Sequence, residues 1–72
     1  MLQITMSSKS NLIIGRRVGE TVIIRAGNED VAVTVTEVQG RGCSLAVRAS
    51  RSVLIDRLEV FRQKNPKKEI QI

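Results

Sequence analysis

Five of the chain's arginines carry the chemistry this sequence can do: Arg16 and Arg17, side by side before a glycine turn, then Arg48, Arg51 and Arg57. A guanidinium is a rigid fork of N–H donors. It matches phosphate oxygens and the major-groove edge of guanine, and it stays charged at any physiological pH. Over the whole chain, 12 Lys and Arg face 7 Asp and Glu, a net charge of +5 in 72 residues. Such an excess favours an anionic partner, although a solvated basic surface needs none. Arg57 stands where a helix is expected to start, at the end of the helix dipole that disfavours a cation. Its charge therefore serves a ligand, or a neighbouring carboxylate such as Asp56 or Glu59.

Catalysis is poorly provided for. The chain has no histidine, one cysteine and no paired carboxylate cluster, so it lacks the usual groups for moving protons or attacking carbonyls. Cys43 lies in an alternating run and reads as a small buried hydrophobe. Glu20, among glycines and arginines, reads as a turn or ion-pair residue. Neither the Gly15–Gly19 spacing nor Gly40-Arg41-Gly42 forms a phosphate loop or a dinucleotide fingerprint. The expectation is a binding protein with no cofactor, no metal and no enzymatic activity.

The elements that must position these arginines are mostly strands. Val31-Ala-Val33-Thr-Val35-Thr alternates with period two, and so does Cys43-Ser-Leu45-Ala-Val47-Arg-Ala49, with Gly40-Arg41-Gly42 between them. These two runs predict a hairpin. Leu12-Ile13-Ile14, Thr21-Val22-Ile23-Ile24 and Val53-Leu54-Ile55 are short β-branched or aliphatic runs of strand composition, and Gly27-Asn28 marks a turn before Val31. At Asp56 the character changes. Asp56-Arg57-Leu58-Glu59 has capping-box spacing, which predicts a short helix capped by Asp56, with Leu58 and Phe61 on one side, beside Arg62. Pro66 ends it, and a charged tail follows, whose Ile70 and Ile72 are available to cover an apolar patch. The fold class is all-β, five strands and a short C-terminal helix.

Size and composition add constraints. A domain this small buries a modest core, and with one cysteine and no histidine it has neither an internal disulfide nor a Cys/His zinc site to staple it. Association into a dimer is the remaining route to buried area. No segment has the length and apolarity of a membrane span, and residues 1–10 lack the basic start and apolar run of a signal peptide, so a cytoplasmic setting is expected. With one Phe, no Trp and no Tyr, the chain cannot bind single-stranded bases by aromatic stacking, and the one Phe is expected to close the helix onto the sheet. Base recognition would fall to arginine planes, aliphatic walls and backbone groups at strand edges.

Leu12-Ile-Ile-Gly-Arg16-Arg17-Val-Gly19-Glu20-Thr-Val-Ile-Ile24, followed by Ala46-Val-Arg-Ala49-Ser-Arg51-Ser-Val53-Leu-Ile55-Asp-Arg57-Leu-Glu59-Val60, resembles the opening and closing segments of the carbon storage regulator (CsrA/RsmA) family. The resemblance spans about residues 12–62. It implies interlocked homodimers of five-stranded chains, forming a β-sandwich or barrel in which the first strand of one subunit lies beside the last strand of the other. It also implies post-transcriptional regulation through GGA-containing hairpin loops in mRNA leaders, with decoy small RNAs competing for the protein. Carried over by similarity, Ile14, Arg16 and Arg17 would meet Val53, Leu54, Ile55 and Arg57 of the partner. Arg57 would be the principal RNA contact, backbone groups near Arg48, Ala49 and Ser50 would read base edges, and Arg51 would add charge.

Several features depart from the family pattern. Residues 1–11 form an N-terminal extension, in which Leu2 and Ile4 are apolar; residues 12–63 would be the RNA-binding domain and 64–72 a basic tail. The loop from Arg25 to Asp30 reads as longer than usual. Ser50 stands in place of a common proline, Ala46 in place of glycine, and Asp56 puts a negative charge beside Arg57. Ser50 and Asp56 keep one alternative open, an antagonist acting through mixed dimers with a related regulator, and the net positive charge keeps open a second, a non-specific nucleic-acid binder.

Overall fold

The computed structural model describes residues 11–70. Three strands form one antiparallel sheet in the order β1-β2-β3: β1 (Thr21–Ala26), β2 (Glu29–Gln39) and β3 (Gly42–Arg48). One helix among the described residues, α1 (Leu58–Lys64), follows. The chain is therefore mainly β with a short C-terminal helix, as the β-branched composition predicts. No helix among the described residues is long and apolar enough to cross a membrane. The N-terminal extension with Leu2 and Ile4, up to Ser10, lies outside the described residues, as does Ile72.

Both hairpins close with two-residue loops, Gly27-Asn28 between Ala26 and Glu29 and Gly40-Arg41 between Gln39 and Gly42. In each loop the first residue is a glycine at positive φ, +61° for Gly27 and +55° for Gly40, and the second is not. That is the pattern of a type II′ turn, whose twist matches the strands it joins. A Cβ at either position meets no neighbouring atom but strains the backbone, so Gly40→Val is expected to lower stability by about 1–2 kcal/mol in urea titration. The expected long loop from Arg25 to Asp30 is corrected here. Arg25 pairs with Asp30 in the ladder, and only Gly27 and Asn28 remain as loop.

The register puts Val31, Val33 and Val35 of β2 on one face, beside Val22 and Ile24 of β1 and Leu45 and Val47 of β3. In the sequence this alternation loses phase between Val35 and Val38. The structure answers with a bulge between Val35 and Glu37, after which Val38 pairs with Cys43 on the apolar side and Glu37 with Ser44 on the other. One extra residue thus keeps a single apolar face along an 11-residue strand.

The described residues place almost nothing over that face. Among the described residues only Val31 is buried, while Ile24, Leu45 and Val38 are each half or more exposed. The expectation that Cys43 is buried is overturned with it: Cys43 is exposed on this face. The helix does not cover the sheet, since α1 packs on none of the three strands. Phe61 consequently does not close α1 onto the sheet; the Lys68 ammonium lies 5.9 Å from its ring centroid instead.

Two of the five expected strands do not form within the single chain. Leu12–Ile14 and Val53–Ile55 have no ladder partner, and Ile13 and Leu54 are 92% and 88% exposed. A strand exists only through its hydrogen-bonded neighbour, and among the described residues both outer edges of the sheet, on β1 and β3, have no intrachain partner.

Candidate nucleic-acid interface

Arg16 and Arg17 sit on the approach to β1, in a turn organised by Glu20. The Glu20 N–H donates to the Arg17 carbonyl at 2.9 Å, and the Arg17 N–H donates to Glu20 Oε1 at 2.9 Å. The Arg16 guanidinium reaches the same carboxylate at 3.5 Å and also donates to the Gly15 carbonyl at 2.9 Å. The turn then joins the sheet through Gly19 N–H donating to the Val35 carbonyl at 2.7 Å. Glu20 is thus the turn and ion-pair residue that its surroundings in the sequence suggested. Arg17 keeps its side chain clear of any carboxylate among the described residues, leaving the full fork for a ligand. Ile14, two residues before Arg16, is half exposed.

A second group begins where β3 ends. Arg48 is in register with Ala32 on the face opposite the valines. Ala49 is half-buried, and residues 50–53 form a turn closed by the Val53 N–H donating to the Ser50 carbonyl at 3.1 Å. This turn is tied to the start of β2: Ser50 Oγ donates to Glu29 Oε1 at 2.8 Å, and Ser52 Oγ donates to Glu29 Oε2 at 3.2 Å. Arg48 and Arg51 pair with no carboxylate among the described residues. Glu29 and Ser52 escape a reading of the sequence, because 23 residues separate them and nothing local signals their meeting.

The third group is the junction into α1. The expected capping box is not formed. The N-cap is Arg57, in extended backbone conformation and without a side-chain cap hydrogen bond. Glu59 turns to the Arg57 guanidinium at 2.6 Å rather than back to the backbone, and Asp56 accepts from Lys64 Nζ at 3.2 Å across the helix. The stronger attraction wins in each case, since an ionised donor outcompetes a neutral N–H for an exposed carboxylate. Glu59, in the first turn, also places a negative charge where the helix dipole favours one and offsets the ill-placed Arg57. Of the residues expected on one side of α1, Leu58 and Phe61 are half-buried and Arg62 is exposed, while Val60 joins the half-buried set. Before the junction, Val53 is half-buried and Ile55 is half exposed.

The chain therefore presents three basic groups at strand ends, around Arg16–Arg17, Arg48–Arg51 and Arg57. Among the described residues, no hydrogen bond or ion pair joins one group to another. What the single chain offers is separate pieces of a cationic surface, two of them, Arg16–Arg17 and Arg57, following segments that form no strand, and the third, Arg48–Arg51, following β3.

Comparison with known proteins gives these pieces a context. The profile of the CsrA global regulator protein family matches residues 12–65. A translational regulator CsrA of Clostridium kluyveri is 38% identical over 52 residues, which cover 72% of this chain and 67% of that protein. One from a Nocardioides species is 40% identical over 52 residues, covering 59% of its length, and one from Thermotoga petrophila is 35% identical, also covering 59%. No solved structure gives a significant match. The matched segment runs from the first unpaired strand segment through all three basic groups to the end of α1, and on that extent of agreement the chain belongs to the CsrA global regulator family.

Proposed function

We propose that two copies of this chain interlock into a homodimer that regulates translation by binding GGA-containing hairpin loops. The observation that carries the reading is what the single chain lacks. Among the described residues, the apolar face is uncovered, both sheet edges are open, and two strand segments, Leu12–Ile14 and Val53–Ile55, have no partner. Ordering a residue costs about 1–2 kcal/mol of backbone entropy, which the one valine buried among the described residues cannot offset. A second copy supplies what the first is missing, and the missing and surplus parts are the same in both, as a two-fold interface requires.

The same exchange assembles the basic groups. Leu12–Ile14 leads directly into Arg16–Arg17, and Val53–Ile55 leads into Arg57. When the first segment of one subunit lies beside the last of the other, Ile14, Arg16 and Arg17 come next to Val53, Leu54, Ile55 and Arg57 of the partner subunit. The arrangement occurs twice per dimer. Arg57 would supply the bidentate fork for guanine, Arg48 and Arg51 would meet phosphates, and backbone groups at Ala49 and Ser50 would read base edges. Residues 12–63 would form the binding domain, flanked by the extension 1–11 and the basic tail 64–72. The targets are mRNA leaders, with repression of translation or altered message stability as the outcome, and small RNAs carrying the same motif would compete. The relatives' name, translational regulator, supports this non-enzymatic role, exercised in the cytoplasm.

The two residues that favoured a mixed-dimer antagonist have local explanations. Asp56 is engaged by Lys64, and its side chain is only 22% exposed, so its charge is partly withdrawn from an RNA surface. Ser50 is held by Glu29, which restores some of the restraint a proline would give.

A gel-shift titration at physiological salt tests the reading, using a GGA-loop hairpin and the same hairpin with a CCA loop. The expected result is strong preference for GGA. Equal binding with steep salt dependence would identify a generic electrostatic binder instead, and no binding to either would point to the antagonist.

A further inference from the structure

We infer that Glu29 is a positioning residue for RNA recognition, its carboxylate clamping the Ala49–Val53 turn through Ser50 and Ser52. The inference rests on the RNA-binding reading above. Glu29 is the first residue of β2, fixed by its ladder pairing with Ala26 across the tight Gly27-Asn28 loop. From that anchored point both carboxylate oxygens reach the turn, Oε1 accepting from Ser50 at 2.8 Å and Oε2 from Ser52 at 3.2 Å. The two serine hydroxyls also lie 2.8 Å from each other. Each hydroxyl has one hydrogen, so two of the three contacts are made at any instant and either arrangement keeps the turn in place. The β2–β3 ladder ends at Ala32–Arg48, so the clamp extends that connection past its last pair into the segment proposed to read base edges.

Electrostatics alone gives no reason for an acid here. Ser50 and Ser52 flank Arg51, and a carboxylate beside an arginine-rich edge opposes phosphate binding. Glu29 nevertheless hydrogen-bonds neutral hydroxyls and, among the described residues, pairs with no cation, whereas the neighbouring Asp30 takes Arg25 at 3.5 Å. A group that works against ligand attraction yet orders a ligand-reading turn is a positioning group.

Charge and positioning predict opposite signs, which makes the test decisive. Glu29→Ala makes the chain more cationic, so a purely electrostatic role predicts tighter RNA binding. Positioning predicts that affinity for the GGA hairpin falls about tenfold, the loss of charge-assisted hydrogen bonds, while affinity for the CCA hairpin does not fall. Ser52→Ala, which leaves the charge unchanged, should lower GGA affinity about threefold, and Ser52→Thr, which keeps the hydroxyl, should retain it. Both quantities are read from gel shifts, with thermal melting and sedimentation on the same samples. Wild-type preference retained in Glu29→Ala and Ser52→Ala overturns the inference, as does a GGA loss that merely tracks a loss of stability or of the dimer. If Glu29→Ala does not fold, the serine pair of variants decides. A wild-type protein without GGA preference overturns the RNA reading itself, and the clamp with it.

Discussion

Arg57→Ala is expected to reduce affinity for a GGA-loop hairpin by about 10- to 100-fold while the protein stays folded and associated. The size follows from removing a bidentate guanine contact, worth roughly 1–3 kcal/mol per site. The separation of binding from folding follows from the local structure. Arg57 is the N-cap of α1 but makes no side-chain cap hydrogen bond, so alanine removes no cap. Its one ion pair among the described residues, to Glu59, joins side chains that are 84% and 60% exposed, and such pairs add little to stability. A cation is also unfavourable at the start of a helix. Circular dichroism and sedimentation should therefore match wild type when the gel shift does not. Unchanged affinity would remove Arg57 from the site, and loss of folding would show that its exposure in the single chain misrepresents the assembled protein.

The second large effect concerns the dimer. Leu45 lies on the apolar face of β3 and is 53% exposed in the single chain. Were the single chain the functional unit, Leu45→Asp would be an ordinary surface change of about 0.5 kcal/mol or less. In a dimer that seals this face, the same substitution buries an unpaired carboxylate, which costs several kcal/mol. The expected result is loss of the dimer, and with it loss of cooperative folding, because Val31, the one buried side chain among the described residues, cannot sustain a core. Sedimentation equilibrium and thermal melting at several concentrations check it. Wild-type melting that does not depend on concentration, together with a folded monomeric Leu45→Asp, would refute the interlocked assembly.

Much of this protein was legible in its residue order. The alternation in Val31–Val35 and Leu45–Val47, punctuated by glycines at 27 and 40, specifies the three-stranded sheet and both its turns, because side-chain period and positive-φ turns are local properties. With no histidine and Phe61 as its one aromatic side chain, the sequence points to recognition by cations and backbone rather than by stacking. The spacing of Arg16, Arg17 and Arg57 in their segments carries the family. What the residue order could not decide was competition among partners. Asp56 and Glu59 have the spacing of a capping box, yet Lys64 and Arg57 take both carboxylates, since charged donors bind more strongly than a backbone amide. Glu29 meets Ser50 and Ser52 only because the hairpins fold the start of β2 back against the end of β3. Likewise, Leu12–Ile14 and Val53–Ile55 have strand composition but no strand in one chain, because pairing is a property of a neighbour and not of the segment itself.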